Sequence, residues 1–255
     1  MKGSQAVKTF LSLPKAVGRA CGPLLLAVRS GLFHPCCRVC GSDLVVPGET
    51  VLCGNCRAKI VFAVENRCRV CGKFLPQGIA TCGSCRLAPP PFARHRSFAA
   101  YEGTLRQAII LYKFAAVEPL KHVLAGLYLE TVRRELPGAY DAVVPVPADL
   151  RRRRNGFQPL CAVAKVLARR LGVPFRPGLL RKKKSTPPQV GLTQAQRLAN
   201  LDGAFALGAG ARAAGLRVLL VDDVTTTGTT VRKCAAVLKR GGARVTALTL
   251  GQTRL

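Results

Sequence analysis

The chain has 255 residues, of which 49% are hydrophobic, and it sets 40 Lys and Arg against 12 Asp and Glu for a formal charge of +28. That length and apolar content exclude a globally disordered chain and leave room for one sizeable core with a small satellite domain. The charge points to an anionic partner, nucleic acid ahead of an anionic membrane surface, although an Arg-rich sequence also arises from genome composition alone.

Residues 1–35 form a basic N-terminal extension carrying Lys2, Lys8, Lys15, Arg19 and Arg29. It reads as a basic amphipathic helix rather than a cleaved leader, because Arg19 and Arg29 interrupt the apolar stretch and no small-x-small cleavage site follows. No run approaches the roughly 20 apolar residues that span a bilayer.

Residues 36–88 hold four C-x2-C pairs: Cys37 with Cys40, Cys53 with Cys56, Cys68 with Cys71, and Cys82 with Cys85. This is the spacing of metal knuckles, not of a secreted disulfide framework, and it implies a reducing, cytoplasmic setting. Two knuckles about a dozen residues apart supply four thiolates for a tetrahedral structural Zn2+. Eight ligands therefore suggest two ions. Spacing favours sequential pairing, first knuckle with second and third with fourth, over a crossed arrangement; an iron–sulfur cluster is the alternative occupant. A segment this poor in hydrophobes draws its folding energy from the metal. His34 and Cys36 read as linker residues, and Cys21, Cys161 and Cys234 as small buried hydrophobes.

Pro89-Pro90-Pro91 opens a stiff, proline-rich linker, 89–97, before a body expected over 98–255. Leu105, Ala108, Ile109 and Tyr112 recur at helical spacing, with Arg106 and Lys113 expected toward solvent. A second helix is expected from Pro119 to Glu135. The unbroken apolar run from Ala142 to Val146 predicts a strand covered on both faces. Pro159 to Leu171 reads as a helix. The basic stretch from Arg181 to Asn200 is too long for a passive connection and reads as a functional flap. A strand from Arg217 to Val221, a helix from Thr229 to Arg240 stopped by Gly241 and Gly242, and a strand from Arg244 to Leu250 complete the chain. Alternating strands and helices predict an α/β body with a parallel sheet.

The segment Val221-Asp222-Asp223-Val224-Thr225-Thr226-Thr227-Gly228-Thr229 carries the chemistry. A buried strand ends in two carboxylates, and a hydroxyl-rich turn then leads directly into a helix. Backbone N–H groups, Thr hydroxyls and the helix N-terminus together suit a phosphate. The adjacent carboxylates suit ribose hydroxyls, with Mg2+ on the ribose and pyrophosphate oxygens. Capping of an ordinary helix explains one or two of these residues but not the whole run.

This loop resembles the phosphoribosyl pyrophosphate (PRPP) motif of type I phosphoribosyltransferases. Together with the knuckles, with Tyr101-x-Gly103-x-Leu105-Arg106, and with Val144-Pro145-Val146-Pro147, the chain resembles the ComF family of competence-associated proteins. The resemblance implies a phosphoribosyltransferase-like parallel sheet flanked by helices behind an N-terminal double zinc ribbon. It implies Asp222 and Asp223 on the ribose hydroxyls, and Thr225, Thr226, Thr227, Gly228 and Thr229 on the 5-phosphate. Pro145 and Val146 would approach the pyrophosphate, Arg151 to Arg154 would supply cations, and Lys182, Lys183 and Lys184 would belong to the flap. Arg154-Asn155-Gly156-Phe157-Gln158-Pro159 departs from the family order after the Pro-x-Pro strand.

The family also implies a cytoplasmic role in DNA uptake during natural transformation, with binding of single-stranded DNA and contact with other competence-machinery proteins. The alternative is an active phosphoribosyltransferase of nucleotide or amine metabolism with no DNA role. No catalytic residue is assigned by the sequence.

Overall fold

The computed structural model describes residues 35–44, 51–148, 158–183 and 202–254, which divide into two units, 1–53 and 54–255. In the smaller unit the first knuckle closes on itself: the Cys37 amide donates to Ser42 O at 2.7 Å and the Gly41 amide to Cys37 O at 2.8 Å. The third knuckle, in the larger unit, repeats this turn with Cys68 N to Lys73 O at 2.8 Å and Gly72 N to Cys68 O at 2.9 Å. Short helices α1 (Gly54–Ala58) and α2 (Gly83–Leu87) carry Cys56 and Cys85.

The body is built on β1 (Arg94–Ala100), β2 (Ala142–Pro145), β5 (Arg217–Thr225) and β6 (Arg244–Gln252), in the order β1-β6-β5-β2. All three pairings are parallel, as the alternation of strands and helices predicts. The register sets Val144 beside Leu220 and Leu220 beside Ala247. Ala142, Val144, Val218, Leu220, Val245 and Ala247 form one continuous cluster with Val231, Cys234 and Leu238 of α6 (Thr229–Arg240). Because successive strand residues point to opposite faces, Val143, Leu219 and Val221 face the other way. Helices α3 (Gly103–Phe114), α4 (Leu120–Glu135) and α5 (Pro159–Leu171) complete the layers, with α4 against β1 and β6, and α5 against α4 and β2.

The expected helices over 159–171 and 229–240 have the predicted bounds. In α5, Pro159 supplies a preset φ at the start and Gly172, at φ 68°, the left-handed residue after the end. The strands run further than apolar runs suggest: β5 continues through both carboxylates to Thr225, and β6 to Gln252, because the parallel ladder pairs Asp222 with Thr249 and Thr225 with Gln252.

The expected linker 89–97 runs into an edge strand at Arg94. The sequence Arg-His-Arg-Ser-Phe-Ala-Ala shows no apolar alternation, yet His95, Arg96 and Ser97 are buried. Their polarity is satisfied by the second ribbon and by β6, which local sequence does not display. The outer edge of β1 is covered, since the His95 amide donates to Val70 O at 2.8 Å and the Ala63 amide to Phe98 O at 2.9 Å. An otherwise open row of backbone groups is thereby closed against pairing with another chain.

The antiparallel pair β3 (Leu180–Lys182) and β4 (Phe205–Leu207) flanks the expected flap, most of which lies outside the described residues.

Candidate phosphoribosyl site and zinc ribbons

The eight knuckle cysteines gather into two groups, Cys37, Cys40, Cys53 and Cys56, and Cys68, Cys71, Cys82 and Cys85, each with its sulfurs within 4.8 Å of one another. The pairing is therefore sequential. Tetrahedral Zn2+ with bonds near 2.3 Å spaces its sulfurs by about 3.8 Å. Cys40 and Cys53 stand 3.7 Å apart, and Cys71 and Cys82 stand 3.6 Å apart. Both donor sets fit structural zinc. Cys36 lies outside the groups, and Cys234 is a fully buried thiol on α6.

The second group is fastened to the body by buried polar contacts. His95, 2% exposed, meets Cys71 O through Nδ1 at 2.9 Å and Thr249 Oγ1 through Nε2 at 3.0 Å. Burial, aided by the charges of Arg96 and Arg232, pushes its pKa down to about 4, so the ring is neutral. Arg96 donates to Cys68 O and Arg69 O. Arg67 donates to Ser97 O and Ala63 O, and the carboxylate of Glu135 receives both guanidinium groups. Gly72 must be glycine: its φ is +69° and a Cβ would stand 2.9 Å from His95 O.

At the same C-terminal end of the sheet, where Asp222 pairs with Thr249, β5 delivers Asp222 and Asp223 side by side. Tyr128, fully buried on α4, donates its hydroxyl to Asp222 O at 2.6 Å. Each carboxylate accepts the next amide: Asp223 N to Asp222 Oδ1 at 2.9 Å, and Val224 N to Asp223 Oδ1 at 2.7 Å. Lys113 forms an ion pair with Asp223. Desolvation and the neighbouring Asp223 charge raise the Asp222 pKa to about 8, against the opposing pull of Lys113. At neutral pH Asp222 therefore keeps its proton, and Lys113 pairs with Asp223.

The chain then turns through Thr225, Thr226 and Thr227. Gly228 adopts φ 75° and begins α6 with no side-chain cap. Glycine brings no side-chain oxygen to cap the first turn, and a helix N-terminus of this kind favours an anionic acceptor. Thr227 Oγ1 and Thr229 Oγ1 are 2.8 Å apart, and Thr225 and Thr229 are buried.

Asp222, Asp223 and Thr225 to Thr229 thus follow one another from the end of β5 into α6, with Thr225 to Gly228 lining one cavity and Asp223 a neighbouring one. Pro145 and Val146 lie at the end of β2 beside β5, with the Val146 amide donating to Val221 O at 2.8 Å, and both side chains are buried. Lys182 ends β3 opposite Phe205, and Lys183 follows it with its amide donating to Ala204 O at 2.7 Å. Arg151, Arg154 and Lys184 lie outside the described residues.

Lys113, expected on the solvent side of α3, is instead largely covered and paired with Asp223 of β5. Tyr128 and Arg232 carried no motif and were legible only as helix residues.

Residues 153–251 match the family model of the phosphoribosyl transferase domain, and residues 28–86 that of the double zinc ribbon domain. The chain is 32% identical over 222 residues to the DNA utilization protein YhgH of Salmonella typhimurium, covering 78% of this chain and 94% of that protein. It is 29% identical over 219 residues to Competence protein F of Haemophilus influenzae, covering 82% and 93%. Orotate phosphoribosyltransferase from Aeropyrum pernix aligns over 54% of this chain and 62% of its own, at 27% identity and a TM-score of 0.35. With two four-cysteine centres ahead of a parallel-sheet body and near-complete coverage of these relatives, the chain belongs to the ComF family.

Proposed function

We propose that the body binds PRPP or a related ribose 5-phosphate ligand, and that the protein serves DNA uptake and use. The observation that carries the first half is the run from β5 into α6. It sets two carboxylates, three threonines and an uncapped helix N-terminus along one continuous stretch. In this reading Asp222 and Asp223 accept the ribose hydroxyls and Thr225 to Thr229 hold the 5-phosphate. Mg2+ bound with the ligand would neutralise pyrophosphate charge. Pro145 and Val146 set the turn beside the pyrophosphate, and Arg151, Arg154, Lys182, Lys183 and Lys184 supply cations and a closing flap that excludes water.

The second half is supported by the charge of +28 and by relatives whose names refer to DNA utilization and competence. Single-stranded DNA would be held mainly through phosphates, since the chain has no Trp and only 4 Tyr for base stacking. Its site of action would be the cytoplasm, alongside other competence proteins.

Titration calorimetry of the zinc-loaded chain with PRPP and Mg2+ tests this. Binding is expected in the wild type and is lost in the Asp222→Asn/Asp223→Asn variant with zinc content unchanged. Equal binding by both proteins would remove the phosphoribosyl reading. In the same proteins, oligonucleotide affinity should fall steeply with salt; a salt-independent affinity, or none, would remove the DNA reading. The match of 153–251 to a transferase domain favours turnover as a second reading, with no DNA role, in nucleotide or amine metabolism. Pyrophosphate release on adding base or amine acceptors would establish it.

A further inference from the structure

The second zinc ribbon and the threonine loop share a cavity of about 100 Å³, with room for about three waters or one phosphate group. The loop contributes Thr225 to Gly228, the ribbon contributes Lys73 and Ser84, and α6 contributes Arg232. Among the described residues no carboxylate lines it. Lys73, Arg232 and four hydroxyl residues line this space beside Phe92 and Val231, a set that suits an anion with several acceptor oxygens.

The ribbon wall is fixed before any ligand arrives. Its knuckle carbonyls, Cys68 O, Arg69 O and Cys71 O, are hydrogen-bonded to Arg96 and His95 of the edge strand. Gly72 packs so closely on His95 O that the turn carrying Lys73 is set directly against the sheet. Arg232 joins the two halves: its guanidinium donates to Cys85 Sγ at 3.5 Å and lies 5.8 Å from the centre of the Phe92 ring. One cation therefore stands both beside a metal-binding sulfur and in the cavity of the threonine loop.

We infer that the second zinc ribbon is a wall of the ligand site. Lys73, Ser84 and Arg232 bind the same phosphate-bearing ligand as Thr225 to Gly228, and this binding is coupled to metal retention at Cys68, Cys71, Cys82 and Cys85. The inference rests on the phosphoribosyl reading and assigns that site a second wall. The coupling has a definite sign. A ligand that contacts the metal-bound ribbon binds it better than a ribbon unfolded by metal loss, so ligand raises zinc affinity and zinc raises ligand affinity by the same factor, and the tighter metal is read as slower release.

The test uses full-length, zinc-loaded protein with ribose 5-phosphate as the probe. Calorimetry compares the wild type, Lys73→Ala and Asp222→Asn/Asp223→Asn. Zinc release to a colorimetric chelator is followed with and without ribose 5-phosphate. Loss of a charge-assisted hydrogen bond predicts about tenfold weaker binding, or more, for Lys73→Ala, with both zinc ions retained. Ligand should slow release from one of the two zinc sites in the wild type and leave the other unchanged. If Lys73→Ala itself loses zinc, Lys73→Gln, which keeps the length and polarity of the side chain, takes its place. Wild-type affinity in the lysine variant, together with lost binding in the aspartate variant, would overturn the ribbon wall and leave the phosphoribosyl reading standing. So would ligand binding with no effect on zinc release. No binding of the probe by the wild type would overturn both.

Discussion

Replacing Glu135 by Ala removes the carboxylate on which Arg67 and Arg96 converge. The side chains of those arginines are 6% and 9% exposed, and that of Glu135 is 23% exposed. Removing one partner of a buried ion pair costs about 3–5 kcal/mol, because the remaining charge stays desolvated without compensation. Both arginines keep carbonyl acceptors, Arg67 on Ser97 O and Ala63 O, and Arg96 on Cys68 O, His95 O and Arg69 O. The cost therefore belongs at the lower end, about 3 kcal/mol. In a chain of this length each kcal/mol moves the melting temperature by about 2–4 °C, so Glu135→Ala should lower it by about 6–12 °C. The exposed pair of Glu130 and Arg134, one turn earlier on α4, is the control, with side chains 38% and 55% exposed. Glu130→Ala should cost no more than about 0.5 kcal/mol, or about 2 °C. Scanning calorimetry of the zinc-loaded proteins reads both, and Glu135→Gln, which keeps an acceptor but not the charge, should fall between them. A loss for Glu135→Ala no larger than for Glu130→Ala would refute the argument that this cluster fastens the ribbon to the body.

Asp222 gives a pH dependence of definite sign. Its folded pKa of about 8 lies above the ordinary 3.8, so the folded chain holds a proton that the unfolded chain has released, and stability falls as pH rises through that window. Asp222→Asn should therefore melt higher than wild type near pH 8, with the gap closing toward pH 4; parallel melting curves across this range would contradict the assignment. Gly72→Ala combines a left-handed φ with a Cβ pressed to 2.9 Å from His95 O, and should cost about 1–3 kcal/mol, read as a lowered denaturation midpoint. A midpoint equal to wild type would mean that the turn can relax. Stripping the metal should release two zinc ions per chain and open residues 36–88 to protease, since each site supplies on the order of 10 kcal/mol of folding energy. Unchanged protection of that segment after chelation would show that the ribbons hold without metal.

The sequence by itself determined the local features. Repeated C-x2-C spacing supplies eight thiolates for two tetrahedral centres and favours sequential over crossed pairing, and the folded chain gathers them sequentially. Helical periodicity with Pro159 and Gly172 at its ends bounds α5, and the Asp-Asp-Val-Thr-Thr-Thr-Gly run announces a turn from a buried strand into a helix. Each of these is encoded by neighbours in the chain, where periodicity and turn chemistry operate.

Only the tertiary structure decided which distant groups satisfy one another. His95 finds Thr249 154 residues later, and Arg67 finds Glu135 68 residues later. Strand β1 was illegible for that reason: three of its five buried positions, His95, Arg96 and Ser97, are polar, and a polar residue becomes a core residue only when a remote partner satisfies its hydrogen bonds. Lys113 likewise reads as an exposed helix cation until β5 brings Asp223 against it. The sheet order β1-β6-β5-β2 places the first strand beside the last, which carries the second ribbon toward the threonine loop. That meeting of Lys73 and Ser84 with Thr225 to Gly228 depends on parallel pairing across most of the chain, a contact that no local pattern of residues specifies.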